Sequence, residues 1–234
     1  HTSTQVEYPS EDVQHPFRNQ PILSNMENNI EETPMFDPKL LEKLKADFES
    51  ISKVSFKPPI SPANPGNDLL MRPLQIGDYD KGYLQLLSQL TTVGDVPRKL
   101  FEEQFHAYKA CPNSYYIIVI EDTSCSQVVA TGTLGIDFKF THMCSKKGKL
   151  DEVVVKEEYR GKQLGKLMVE TLTLLSQQVG CYKTTLECKT DNIPFYTKFG
   201  YKQDPENYMT YRHEHCSLNK EEEINQLMAA TRQL

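Results

Sequence analysis

An apolar strand that runs into a glycine-punctuated basic turn and then a helix leaves a chain few folds to choose from. Leu150-Asp151-Glu152-Val153-Val154-Val155 reads as that strand, and Lys156 to Tyr159 leads away from it. Arg160-Gly161-Lys162-Gln163-Leu164-Gly165-Lys166 then turns the chain into a helix. Leu164, Leu167, Met168, Leu172, Leu175 and Val179 recur at helical spacing, and Gly180 stands where the helix would end. A helix entered in this way points unpaired N–H groups and the positive end of its dipole at whatever lies over the turn, which suits a pyrophosphate. Arg160, Lys162 and Lys166 sit where cations oppose that dipole, so an anionic ligand would account for them. A solvated basic turn linking strand to helix fits the same spacing. A Walker-type loop does not, because Gly165-Lys166 is followed by Leu167, and the glycines are out of register for a dinucleotide fingerprint.

Arg160-Gly161-Lys162-Gln163-Leu164-Gly165 resembles the acetyl-coenzyme A pyrophosphate loop of the GNAT acetyltransferases, Arg/Gln-x-x-Gly-x-Gly/Ala, with Gln163 in place of the middle glycine. The glucosamine 6-phosphate N-acetyltransferases of animals share that Gln. The resemblance to them extends through Asp151 to Val155, Leu172 to Ser176, Gly180 to Lys183 and Asn192 to Gly200. Upstream it takes in Leu90 to Gly94 and Glu32-Thr33-Pro34-Met35-Phe36-Asp37-Pro38, so that it covers about Glu32 to Arg212.

Charge and length narrow the class independently. With 26 Lys and Arg against 32 Asp and Glu, the formal net charge of −6 argues against a nucleic-acid surface. No apolar run approaches the roughly 18 residues of a membrane span, and the start lacks the basic and apolar regions of a secretory signal. The chain opens on His1, as a trimmed or tagged chain would. Six cysteines without a Cys-x-x-Cys pair read as reduced thiols. A cytoplasmic protein is expected, with peripheral association on endomembranes left open.

Three regions are expected. Residues 1–67 hold nine of the fourteen prolines and one glycine, which favours extended chain. Within them Asp37 to Ile51 reads as a helix, either docked on the following domain or on a partner, or transient in a tail. Residues 68–212 read as a single α+β domain of GNAT type, with a mixed, mostly antiparallel sheet flanked by helices. Strands are expected at Leu69 to Arg72, Tyr115 to Glu121, Gln127 to Phe138, Lys149 to Val155, Tyr182 to Cys188 and Asn207 to Arg212. Helices are expected over Tyr79 to Leu90, after Pro97, from Leu164, and over Ile193 to Phe199 with Asn192 as cap and Gly200 as stop. Phe195 and Phe199 read as core aromatics. Residues 213–234 read as a tail whose helix, capped by Asn219, serves docking or association. His213, His215 and Cys216 lack a fourth ligand at structural-zinc spacing, and no metal is expected.

The resemblance implies a site. Acetyl transfer to an amine needs a neutral amine, a stabilised oxyanion and a way to neutralise the departing thiolate. Glu187 is implied as the carboxylate beside the amine, as base or as orienter, and Tyr196 as donor to the sulfur. Val153 is implied as N–H donor to the thioester carbonyl, freed by a bulge in its strand. Coenzyme contacts are implied for Val153, Val154, Val155, Arg160, Gly161, Lys162, Gln163, Leu164, Gly165, Lys166, Asn192, Tyr196, Thr197 and Lys198. Sugar phosphate contacts are implied for Thr91, Lys139, Phe140, Thr141, His142, Asp151, Glu152, Val153, Tyr182, Lys183, Glu206 and Arg212. The acidic pair stands as Asp151-Glu152 where the family has Glu-Asp, which shifts each carboxylate by about one methylene.

The implied reaction moves the acetyl group of acetyl-CoA directly to the amine of glucosamine 6-phosphate, within a homodimer that shares its sugar-site residues, and feeds UDP-N-acetylglucosamine synthesis. A GNAT enzyme with another amine acceptor is an alternative. So is an inactive acyl-coenzyme A sensor whose Pro-rich segment recruits a partner.

Overall fold

The computed structural model describes residues 32–211. The chain divides into two units, His1–Thr190 and Asp191–Leu234. The first is built on a five-stranded sheet of β1 (Leu69–Pro73), β2 (Tyr115–Asp122), β3 (Gln127–Phe138), β4 (Lys146–Val155) and β5 (Cys181–Leu186). The strands lie in sequence order. Successive pairs are antiparallel through β4, and β5 runs parallel to β4. The parallel step follows from the connection: a helix, not a hairpin, joins β4 to β5, and a crossover of that length returns the chain in the same direction. The sheet is therefore mixed and mostly antiparallel, as expected.

Helices cover both faces. The long helix α4 (Leu164–Gln178) buries Leu164, Leu167, Met168, Leu172 and Leu175. It lies so close to the sheet that a Cβ on Gly132 would stand 2.7 Å from Leu172 Cδ1, and one on Gly148 2.3 Å from Ser176 Oγ. A Cβ at either place would force the buried side chains of α4 to shift. Helices α2 (Tyr83–Leu87) and α3 (Arg98–Lys109) bury Tyr83, Leu86, Phe101 and Phe105. The helix expected over Tyr79 to Leu90 is thus broken: a 3-10 turn, Ile76–Tyr79, precedes α2, and Gly82 between them is left-handed at φ 80°. Arg72 ties that turn to the sheet, bonding the fully buried Asp78 at 2.6 Å and Glu121 at 2.7 Å.

The helix expected before the domain is α1 (Pro38–Ile51), with the Asp37 side chain accepting from the Lys39 N–H and Pro38 at its first position. It is docked, not transient, because Leu41, Leu44 and Phe48 are buried. The remaining strand expectations hold with shifts at the ends. β4 starts at Lys146, three residues early, because Lys146, Lys147 and Gly148 pair with Phe138, Asp137 and Ile136. β5 stops at Leu186, where its ladder with β4 ends.

In the second unit, α5 (Ile193–Tyr196) continues as a 3-10 turn, Thr197–Phe199, and Gly200 ends it at φ 87°. Asn192 holds the cap position without a side-chain cap bond. Phe195 contacts Tyr196 and Phe199 edge-on, yet both phenylalanines are half-exposed, so they are not the core residues expected. The strand expected at Asn207 to Arg212 is not formed over 207–211. Its backbone has no sheet neighbour there, and β propensity alone does not make a strand. Arg212, the His213, His215 and Cys216 cluster and the tail helix lie outside the described residues.

Leu44 is 0% exposed. Leu44→Ala is expected to lower the stability of the whole domain by about 2–5 kcal/mol in urea unfolding. An unchanged midpoint and slope would mean that α1 is no part of the core.

Candidate functional site

β3 pairs Thr131 with Val154 and Thr133 with Asp151. Between these pairs stand Gly132 on one strand and Glu152 with Val153 on the other, two residues against one, which is a β-bulge. Glu152 takes up the surplus in the left-handed region at φ 55°. On the other side of β4, the parallel ladder with β5 runs from Lys146 to Leu150, paired with Leu186, and goes no further. Asp151 to Val155 therefore leaves the β5 side of the sheet open just where the bulge takes Val153 out of the regular ladder. A bulge increases local twist, which turns a strand away from its neighbour.

β4 then leads into the basic turn. The Lys156 N–H donates to Val129 O at 2.8 Å, and the Glu157 N–H to Gln89 Oε1 at 3.1 Å. The Tyr159 hydroxyl donates to Asp122 Oδ2 at 2.6 Å. Hydrogen bonds from Ser124 and Tyr159 pull the Asp122 carboxyl down to about 2, and the same carboxylate pushes the Tyr159 phenol up. Gly161 has φ 80° with nothing near where a Cβ would stand, so conformation and not space selects it. Gln163 is left-handed at φ 63° and holds the N-cap of α4 without capping it. Leu164 is buried, and the N-terminus of α4 has no side-chain cap bond to its main-chain N–H groups.

The three basic residues have contacts within the chain. Arg160 lies 3.8 Å from Glu157, Lys162 sits 4.5 Å above the Tyr159 ring, and Lys166 donates to Ser55 O beside the Phe56 ring. An external anion is therefore not the only reason for their placement.

At the open edge, Lys149 Nζ is 3.3 Å from Asp151 and 3.2 Å from Glu187. Burial would lower the Lys149 pKa, but hydrogen bonds and charge from Glu187 and Asp151 outweigh it and raise it. The structure thus joins two of the expected residues through one that the sequence reading missed. The signal was there in the strand period of two, which sets Lys147, Lys149 and Asp151 on one face. Glu152 is exposed as a residue, yet the protein around its carboxyl displaces enough water to raise its pKa, and Asp151 adds to the shift while the Thr133 hydroxyl at 3.3 Å opposes it. Tyr83 and Tyr108 face the same charge: burial first, and then Glu152, raises both phenols.

A second group gathers at the β3 to β4 connection. Lys139 and Phe140 lead into a turn, Thr141–Cys144, in which His142 and Met143 are left-handed. The His142 ring stacks on Tyr182 at 4.4 Å, and Lys183 lies 5.8 Å from the Tyr182 ring centre. Phe138, Phe140, Met143 and Tyr182 are all exposed. Thr91 is exposed on the chain after α2, its N–H bonded to Leu87 O. A cavity of about 600 Å³ lined by Tyr79, Ser88, Gln89, Val93 and Lys156 lies beside that chain and includes none of the expected site residues. Asn192, Tyr196, Thr197, Lys198 and Glu206 belong to the second unit, where Tyr196 meets Phe195 at 5.1 Å and Tyr201 at 6.2 Å.

Glu152→Gln tests the electrostatics of the open edge. A carboxyl whose pKa is raised on folding stabilises the fold below its ordinary value of 4.5 and loses that stability as pH climbs through the raised value. The variant should therefore gain on the wild type as pH climbs from 4.5 when urea midpoints are compared. A difference that does not change with pH would contradict the assignment.

Comparison with known proteins adds to this geometry. Residues 83–201 match the acetyltransferase (GNAT) family. A Drosophila melanogaster protein named a probable glucosamine 6-phosphate N-acetyltransferase is 49% identical over 187 residues, 79% of this chain and 84% of that one. The glucosamine 6-phosphate N-acetyltransferase of Arabidopsis thaliana is 40% identical over 130 residues, 56% of this chain and 87% of its own. A crystal structure of glucosamine-6-phosphate N-acetyltransferase from Arabidopsis thaliana superposes with a TM-score of 0.60 at 36% identity, covering 62% of this chain and 99% of that one.

Proposed function

The chain belongs to the acetyltransferase (GNAT) family, and from that premise we propose that it transfers the acetyl group of acetyl-CoA to the amine of D-glucosamine 6-phosphate, giving N-acetyl-D-glucosamine 6-phosphate. Supporting the choice of acceptor is the similarity to relatives named for that activity, which reaches 49% identity over most of both chains. The observation that carries the mechanism is the coincidence of the β4 bulge, the end of the β4–β5 ladder at Leu150 and the uncapped start of α4 at Leu164.

In this reading the main-chain N–H groups from Arg160 to Lys166 hold the coenzyme's pyrophosphate, as a helix N-terminus suits an anion. Val153, Val154 and Val155 offer backbone groups to the pantetheine arm, Asn192 is its side-chain partner, and Thr197 and Lys198 are further coenzyme contacts. The Val153 N–H donates to the thioester oxygen, whose charge grows during attack. Glu187 accepts from the attacking amine and so aims it, and Lys149 fixes that carboxylate. Tyr196 donates to the departing sulfur. The amine attacks directly within a ternary complex. For the sugar phosphate, Lys183 and Arg212 supply cations, and Thr91, Lys139 to His142, Asp151, Glu152, Tyr182 and Glu206 supply hydroxyl and ring contacts. The exposed group of Phe138, Phe140, Met143 and Tyr182 supports a homodimer that covers this edge and shares the sugar site. Among the described residues no helix is long and apolar enough to cross a membrane. A cytoplasmic place and a role in UDP-N-acetylglucosamine synthesis complete the proposal.

Kinetics with a panel of amines tests the acceptor: glucosamine 6-phosphate should be preferred over glucosamine, polyamines and peptide N-termini, and indifference to the phosphate would point to another amine. Tyr196→Phe should lower kcat by about 100-fold with little change in coenzyme affinity. Arg212→Ala should instead raise the KM of the sugar phosphate. Unchanged kinetics in both variants would remove these roles.

A further inference from the structure

Gln163 stands where the family pattern has glycine, in a left-handed conformation that costs any residue with a Cβ. Both ends of its side-chain amide are engaged. Oε1 accepts from the Lys57 N–H at 3.0 Å, and Nε2 donates to Pro58 O at 3.0 Å. A main-chain segment far upstream is thereby tied to the middle of the basic turn.

These bonds end a longer docking line. The chain from α1 onward runs back along α4: Gln178 donates to Leu40 O at 2.9 Å, Ser52 donates to the Glu170 carboxylate at 2.6 Å, and Lys166 donates to Ser55 O. Residues 163, 166, 170 and 178 share one side of the helix. Beneath this line Leu41, Leu44 and Phe48 are buried, and Phe48 meets Phe56 at 6.1 Å. Glu170 is 4% exposed, so its bond to Ser52 belongs to the core. The segment is thus anchored firmly at α1 and reaches the turn at Lys57 and Pro58.

Resting on the reading that this turn holds the coenzyme's pyrophosphate, we propose that Gln163 is a positioning residue that couples the segment Ser52 to Pro58 to coenzyme binding. Its side chain holds the turn in the conformation whose N–H groups meet the diphosphate, and in exchange for a strained backbone it keeps the amide that glycine lacks. Linkage makes the coupling reciprocal: whatever tightens the turn on coenzyme tightens the segment on the turn.

The test combines two variants with one measurement on the unaltered chain. Gln163→Ala removes the amide and keeps the strain, whereas Gln163→Gly removes both. Calorimetric titration with coenzyme A should show affinity about tenfold weaker in each. The KM for acetyl-CoA should rise with kcat and the KM of the sugar phosphate nearly unchanged, a split that simple destabilisation does not produce. In the wild type, saturating coenzyme A should slow hydrogen exchange of the Lys57 amide, which reports the Gln163 bond without any substitution. Wild-type affinity in both variants, or Lys57 exchange indifferent to coenzyme A, would overturn this inference alone. A wild-type chain with no affinity for coenzyme A would overturn the reading beneath it as well.

Discussion

The surplus residue in β4 sets the geometry on which the rest depends. With Glu152 and Val153 set against Gly132 alone, the antiparallel ladder to β3 slips by one, while the parallel ladder to β5 has already ended at Leu150. Backbone polar groups in a sheet interior are normally paired across the strands, so a gap between two adjacent strands is a place for an outside chain to bond. A thioester on an extended amide-bearing arm is such a chain. The left-handed Glu152 is the cost of that gap, and its carboxyl, raised by burial and by Asp151, lies on the same edge as the Lys149 link from Asp151 to Glu187. Strain and shifted acids on one edge are what a site, as opposed to a plain sheet margin, tends to carry.

The turn that follows is held from several directions. Val129 fixes Lys156, Gln89 fixes Glu157, Asp122 fixes Tyr159, and Lys57 and Pro58 fix Gln163. Each contact comes from a different part of the chain, so the turn is shaped by the whole first unit and not by its own glycines. An anion site built from main-chain N–H groups gains most when those groups need no rearrangement on binding. The basic side chains then matter less as ligands than their number suggests, since Arg160, Lys162 and Lys166 each have a contact within the chain.

Much of this was legible in the sequence because the signals were local. The apolar period of α4 and the Asp37-Pro38 start of α1 each rest on a few neighbouring residues. The bulge was legible only through resemblance, since nothing in Glu152-Val153 itself marks a left-handed Glu. What sequence could not give was set by distant partners. Lys146 to Gly148 fell outside the expected strand because their strand pairing is decided by β3 and β5. The docking of Lys57 and Pro58 on Gln163 joins residues more than a hundred apart, with no pattern to announce it. Asn207 to Tyr211 failed the opposite way, carrying β propensity without a neighbouring strand.

The most direct measurement is a crystal structure of the chain with coenzyme A and glucosamine 6-phosphate bound. The account predicts the diphosphate within hydrogen-bond reach of the main-chain N–H groups between Arg160 and Lys166, the pantetheine arm along Val153 to Val155 in the gap beyond Leu150, and the sugar nitrogen beside Glu187. A diphosphate seated elsewhere, or a thiol and amine too far apart to react, would contradict it.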